Sequence, residues 1–132
     1  MSKKNLLFCI FLLTLTLSLV LTGCSSTPRA EDLFGKIFYY EKDGFGSYFF
    51  ITVQEDGSFS YYEGALSSYL GFGSWTLEGD LLTLTDTVLE DHPRVFCFRV
   101  KGNDLIFLAD RSDEFTYVDV ADGERFSAAV SE

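Results

Sequence analysis

From Leu33 onward the chain alternates large apolar and polar side chains in short runs, each ended by glycine, aspartate or asparagine. A period of two sends successive side chains to opposite faces of a strand, so this pattern predicts sheet and not helix. Eight strands are expected, over residues 35–41, 47–53, 58–63, 72–78, 81–85, 95–101, 105–109 and 115–120. Phe49, Ile51 and Val53 share one face of the second, Phe59 and Tyr61 one face of the third, and Gly73, Trp75 and Leu77 one face of the fourth. The hairpin signal Asp56-Gly57 is strong, because glycine accepts the positive φ that a tight primed turn requires.

Consecutive hairpins predict a meander. Eight short strands can close on themselves, which removes the exposed edges that invite aggregation. The expected fold is all-β, a small antiparallel meander barrel of about eight strands, whose interior is either filled by side chains or holds one small ligand. A two-sheet sandwich is the alternative that the same period permits.

The first 23 residues follow another pattern. Lys3 and Lys4 precede an almost unbroken apolar run, Leu6 to Leu21, which is the layout of an export signal and is near the lower limit of roughly 17 residues for a membrane-spanning helix. The run closes with Leu21-Thr22-Gly23-Cys24, which resembles the bacterial lipobox. That resemblance implies cleavage before Cys24, attachment of a diacylglyceryl group to its thiol, and a mature protein lipid-anchored at the cell membrane and facing outside the cytoplasm. An outer membrane stays open as the address if the cell has one. Each buried methylene of such an anchor contributes about 0.8 kcal/mol, so two chains suffice without a further apolar segment.

The expected organisation is a signal peptide over residues 1–23, a lipidated cysteine and flexible leash over 24–32, the barrel over 33–126 and a frayed tail over 127–132. The leash spans about 25 Å when extended. Removal of Lys3 and Lys4 leaves eight basic side chains against twenty acidic ones, a net charge of −12 in place of −10. Such a domain is repelled by phosphate backbones, so nucleic acid is excluded as a partner. Processing also removes Cys9 and alkylates Cys24, which leaves Cys97 with no disulfide partner and set between Phe96 and Phe98 as a buried thiol.

Candidate chemistry is sparse. The one histidine, His92, sits beside Pro93 in a charged loop, without the partners that a catalytic triad or zinc site requires. Asp86, Glu90 and Asp91, and likewise Asp110, Asp113 and Glu114, lack the spacing of a calcium loop and are read as loop solvation. No catalytic residue, metal site or cofactor is therefore expected, and an envelope hydrolase is the last of the readings.

Aromatic residues make up 17% of the chain, and adjacent pairs such as Tyr39-Tyr40 and Tyr61-Tyr62 must each send one ring outward. Tyr48, Phe50 and Tyr62 are expected on one outer face, a platform for a sugar or a partner protein, with Ser67, Ser68 and Tyr69 lining a barrel mouth. Cross-strand pairing that only stiffens the sheet is the competing account.

Gly73-Ser74-Trp75-Thr76-Leu77-Glu78-Gly79-Asp80-Leu81-Leu82-Thr83-Leu84 resembles short lipocalin-like domains of bacterial lipoproteins. Together with Asp56-Gly57-Ser58-Phe59-Ser60-Tyr61-Tyr62 it is also similar to uncharacterised small extracytoplasmic domains of Gram-positive bacteria. The resemblance implies a β-barrel outside the cytoplasmic membrane and brings no family activity. The expected function is a non-enzymatic binding module that engages an envelope protein or a small ligand; the alternative is a carrier of an apolar ligand near Trp75.

Overall fold

The computed structural model describes residues 2–5, 26–40, 42, 48–64 and 68–129. Leu21, Thr22, Gly23, Cys24 and Ser67 lie outside the described residues. Among the described residues, no helix is long and apolar enough to cross a membrane.

Eight strands form one closed antiparallel barrel in chain order: β1 (Ile37–Tyr40), β2 (Phe50–Val53), β3 (Ser58–Tyr62), β4 (Leu70–Glu78), β5 (Leu81–Asp86), β6 (Arg94–Lys101), β7 (Asp104–Phe107) and β8 (Arg125–Ala128). Every strand pairs with its neighbour in sequence, and β8 pairs with β1 through Phe38↔Ala128, Tyr39↔Ser127 and Tyr40↔Phe126. That seam makes the fold a barrel and excludes a sandwich.

One expected strand is corrected. Residues 115–120 are not a strand; the eighth is Arg125–Ala128, in the stretch read as the end of the domain and its frayed tail. The N–H groups of Thr116, Tyr117 and Val118 go to the carboxylate of Glu63 instead of to a strand. Phe126 is fully buried, and the Ser127 hydroxyl donates to Asp104 Oδ1 at 2.7 Å, so the ladder continues past residue 126.

The connections sort the barrel into two unlike ends. Tight turns after β2, β4 and β6 lie at one end, together with the start of β1 and the finish of β8. Gly57 takes φ 85° in the first of these turns, and the side chain of Asp56 accepts from the N–H and hydroxyl of Ser58. The opposite end carries the longer connections 41–49, 63–69, 87–93 and 108–124.

The interior is filled with rings. Phe115 comes in from the long β7–β8 connection, stacks on Phe96 at 4.1 Å and meets Phe49 edge-on at 4.8 Å. Phe126 stacks on Tyr40 at 4.9 Å and meets Phe49 and Phe98 edge-on. Each such pair adds about 0.5–1.5 kcal/mol beyond the area it buries. Two inward glycines on β4 shape this packing. A Cβ on Gly71 would lie 1.9 Å from Cε1 of Tyr61, and one on Gly73 would lie 1.8 Å from the backbone oxygen of Thr85.

Candidate functional site

The barrel places the expected outer rings side by side. On β1 to β4 the register runs Tyr39↔Phe50, Phe50↔Tyr62 and Tyr62↔Leu70, one continuous row across four strands. Ring centroids in the row are 6.1 Å apart from Tyr39 to Phe50 and 5.8 Å from Phe50 to Tyr62. A second row, one pleat further along, runs Ile37↔Thr52, Thr52↔Ser60 and Ser60↔Phe72. Tyr48 precedes β2 on the same side and is 58% exposed, while Leu70 and Phe72 are 53% and 54% exposed.

The alternation explains why these rings are outside. Phe38, Ile51, Phe59 and Tyr61 occupy the inward positions of β1 to β3, so their neighbours in sequence must face solvent. What alternation does not require is that they be aromatic. Among the described strand positions facing outward on β1 to β4, Glu78 alone carries a charge, and it sits at the tight-turn end, away from both rows. Two described rows without charge are conspicuous on a chain that is 23% charged. The hydroxyls of Thr52 and Ser60 make no side-chain hydrogen bond among the described residues, and neither do the phenols of Tyr39, Tyr48 and Tyr62.

The other expected residues fall elsewhere. Ser68 is exposed, and Tyr69 is half-buried and belongs to a polar cluster below the long-loop end. In that cluster Asp86, 2% exposed, accepts from Tyr61 at 2.7 Å, from Tyr69 at 3.1 Å and from Arg94 at 3.2 Å. Arg94 also donates to Thr116 Oγ1 at 2.6 Å and lies over the rings of Tyr69 and Phe96. Burial and the hydrogen bond to Asp86 push the Tyr61 phenol well above the ordinary tyrosine range. Burial works against the Arg94 guanidinium, yet Tyr61, Tyr69 and Asp86 together hold it above its ordinary value.

Nearby, the buried Glu63 carboxylate accepts from the N–H groups of Thr116 at 3.1 Å, Tyr117 at 2.5 Å and Val118 at 3.2 Å. It fastens the connection that carries Phe115 into the barrel. Sequence reasoning missed Glu63, Asp86 and Arg94 as a group because they are distant in the chain and converge only when the barrel closes.

Trp75 lies on the inward row of β4, half-buried at the tight-turn end, with Nε1 donating to the Gln54 carbonyl at 2.9 Å and Phe34 5.8 Å from its ring. Two grooves lie elsewhere, one between Pro28 and the Lys36, Arg99 and Lys101 side chains, the other against the 107–121 connection. Inside the barrel the buried rings of Phe49, Phe96, Phe98, Phe115 and Phe126 pack against one another. His92 is exposed, its Nδ1 against the carbonyl of Asp91. No group of metal-ligating side chains occurs among the described residues.

Comparison with family models, with curated proteins and with solved structures finds no match to this chain, so its function has to be read from the barrel and its aromatic face.

Proposed function

We propose that this protein is a lipid-anchored extracytoplasmic binding module, without enzymatic activity, that docks a partner on the outer face of β1 to β4. The observation that carries the reading is the continuous row Tyr39, Phe50, Tyr62 and Leu70, with Phe72 and Tyr48 beside it, on a face whose described strand positions carry no charge apart from Glu78 at the far end. Exposed apolar residues scattered singly need no explanation, whereas a contiguous patch of this kind marks interaction sites. Against an enzymatic reading stand the buried carboxylates, which are consumed by structure: Asp86 by two phenols and a guanidinium, Glu63 by three backbone N–H groups.

The tether fits this geometry. Residues 26–29 and the short 3-10 helix Ala30–Asp32 lead into β1 at the tight-turn end. A membrane anchor at Cys24 would therefore hold that end towards the bilayer and leave the side of the barrel open. The filled interior argues against the carrier alternative.

Two substitutions test the reading. Cys24→Ala is expected to move the protein from the membrane fraction to the soluble fraction; retention at the membrane would overturn the anchor. Tyr48→Ala with Tyr62→Ala is expected to weaken capture of envelope components by the full-length protein without lowering its unfolding temperature, and unchanged capture would remove this face from consideration.

A further inference from the structure

We infer that the occupant of this face is a neutral glycan chain, lying across β1 to β4 along the line of Tyr39, Phe50 and Tyr62; the inference rests on the docking-face reading above. Three properties of the face point to that chemistry.

The first is size. Four strands about 4.8 Å apart and two to three side-chain rows about 7 Å apart give a projected area of about 300–400 Å². An extended strip of that size accommodates a few sugar rings laid end to end.

The second is charge. The protein carries twice as many acidic as basic side chains, 20 against 10, so an anionic polymer is repelled on approach. Among the described strand positions of the face there is no cation to reverse this, which favours an uncharged ligand.

The third is the mixture of groups. A sugar ring offers an apolar C–H face and a rim of hydroxyls, and it is recognised by an aromatic ring beside small hydrogen-bonding groups. Phe50 and Tyr62 are adjacent to Thr52 and Ser60, whose hydroxyls make no side-chain hydrogen bond among the described residues. Successive ring planes differ by 58° and 44°, so the row offers ring faces at several tilts and not one flat plate.

Calorimetric titration of the full chain in detergent micelles tests the inference, with three probes: β-1,4-linked oligomers of glucose, β-1,4-linked oligomers of N-acetylglucosamine, and oligogalacturonate as the anionic control. A neutral oligomer is expected to bind more tightly as it lengthens until the row is covered, while oligogalacturonate does not bind. Tyr62→Ala is expected to weaken neutral binding about three- to ten-fold, as loss of one stacked ring would. Tyr117→Ala, which removes a ring 60% exposed on the β7–β8 connection, is expected to leave it unchanged. Failure of every neutral oligomer, or equal binding by the Tyr62→Ala protein, overturns the glycan. If Tyr48 and Tyr62 are nevertheless required for capture of an envelope protein, the docking face survives and only the ligand class falls; if they are not, both fall.

Discussion

The ring of Tyr61 on β3 lies directly over Gly71, its cross-strand partner on β4, so closely that a Cβ there would sit 1.9 Å from Cε1 and 2.2 Å from Cζ of the ring. The Tyr61 phenol reaches Asp86, itself the partner of Gly73. Gly71→Ala is expected to destabilise the protein by about 2–4 kcal/mol through overpacking. In a background of Tyr61→Ala that penalty should largely disappear, because the obstacle is a side chain. Gly73→Ala should find no such relief, since its obstacle is the Thr85 backbone oxygen at 1.8 Å. Denaturant titration of the parent, the three single variants and the two doubles checks the contrast.

Glu63 gathers three backbone N–H groups of the β7–β8 connection. Glu63→Ala removes the acceptor and leaves those donors near the buried Phe115, at an expected cost of about 2–4 kcal/mol. Hydrogen exchange should show the loss first at Thr116, Tyr117 and Val118; uniform protection across the barrel would refute a local fastening.

Arg94→Met is expected to cost about 3–5 kcal/mol, because it strands a carboxylate that is 2% exposed. Adding Asp86→Asn should recover part of the loss, since the uncompensated charge goes with it. Urea unfolding of the single and double variants measures the coupling, and additive losses would show that the ion pair is immaterial.

Acid should loosen the seam between the first and last strands. Burial opposes ionisation of Glu124, but hydrogen bonds from Tyr40 and the Ala121 N–H, together with Lys42, hold its carboxyl below the usual carboxylate range. A depressed folded value stabilises above the unfolded pKa and is lost as pH falls through the folded one. The fall in unfolding temperature below the ordinary carboxylate range should therefore be shallower in Glu124→Gln than in the parent.

At the alkaline side the tyrosines divide into two groups. Burial first, and then hydrogen bonds to carboxylates, push Tyr40 and Tyr61 well above the ordinary value of 10.0. A raised folded value gives stability that is present below the unfolded pKa and lost as pH rises through the folded one. Ultraviolet titration should show Tyr40 and Tyr61 resisting ionisation until the barrel opens, and Tyr61→Phe should remove one of those delayed transitions.

The sequence made the barrel legible wherever period two was backed by turn chemistry. Seven strands fall within two or three residues of the alternating runs, because Asp56-Gly57, Gly79-Asp80 and Gly102-Asn103 mark where each hairpin must turn. The eighth was misplaced for a physical reason. Residues 115–120 have the apolar content of a strand, but Phe115 serves as a plug and the following N–H groups have a carboxylate to satisfy them. Arg125–Ala128 contributes only one large apolar side chain, Phe126, and its membership is decided by β1 and β7 on either side. The outer rings of Phe50 and Tyr62 were equally legible from alternation, and their joining into one row with Tyr39 and Leu70 required the register. Tyr69 misled because its phenol reaches inward to Asp86, a contact across seventeen residues that no local pattern encodes.

The β1–β8 seam bonds the two ends of the domain as it bonds any hairpin, and the chain arrives and leaves at the same rim. Its position is thus a convention of synthesis and not of architecture. A short link joining residue 129 to residue 33, with new termini cut in the Asp56-Gly57 or Gly102-Asn103 turn, should give a permuted chain that closes into the same cylinder. The strands could then be threaded in another order while the aromatic row stayed where it is.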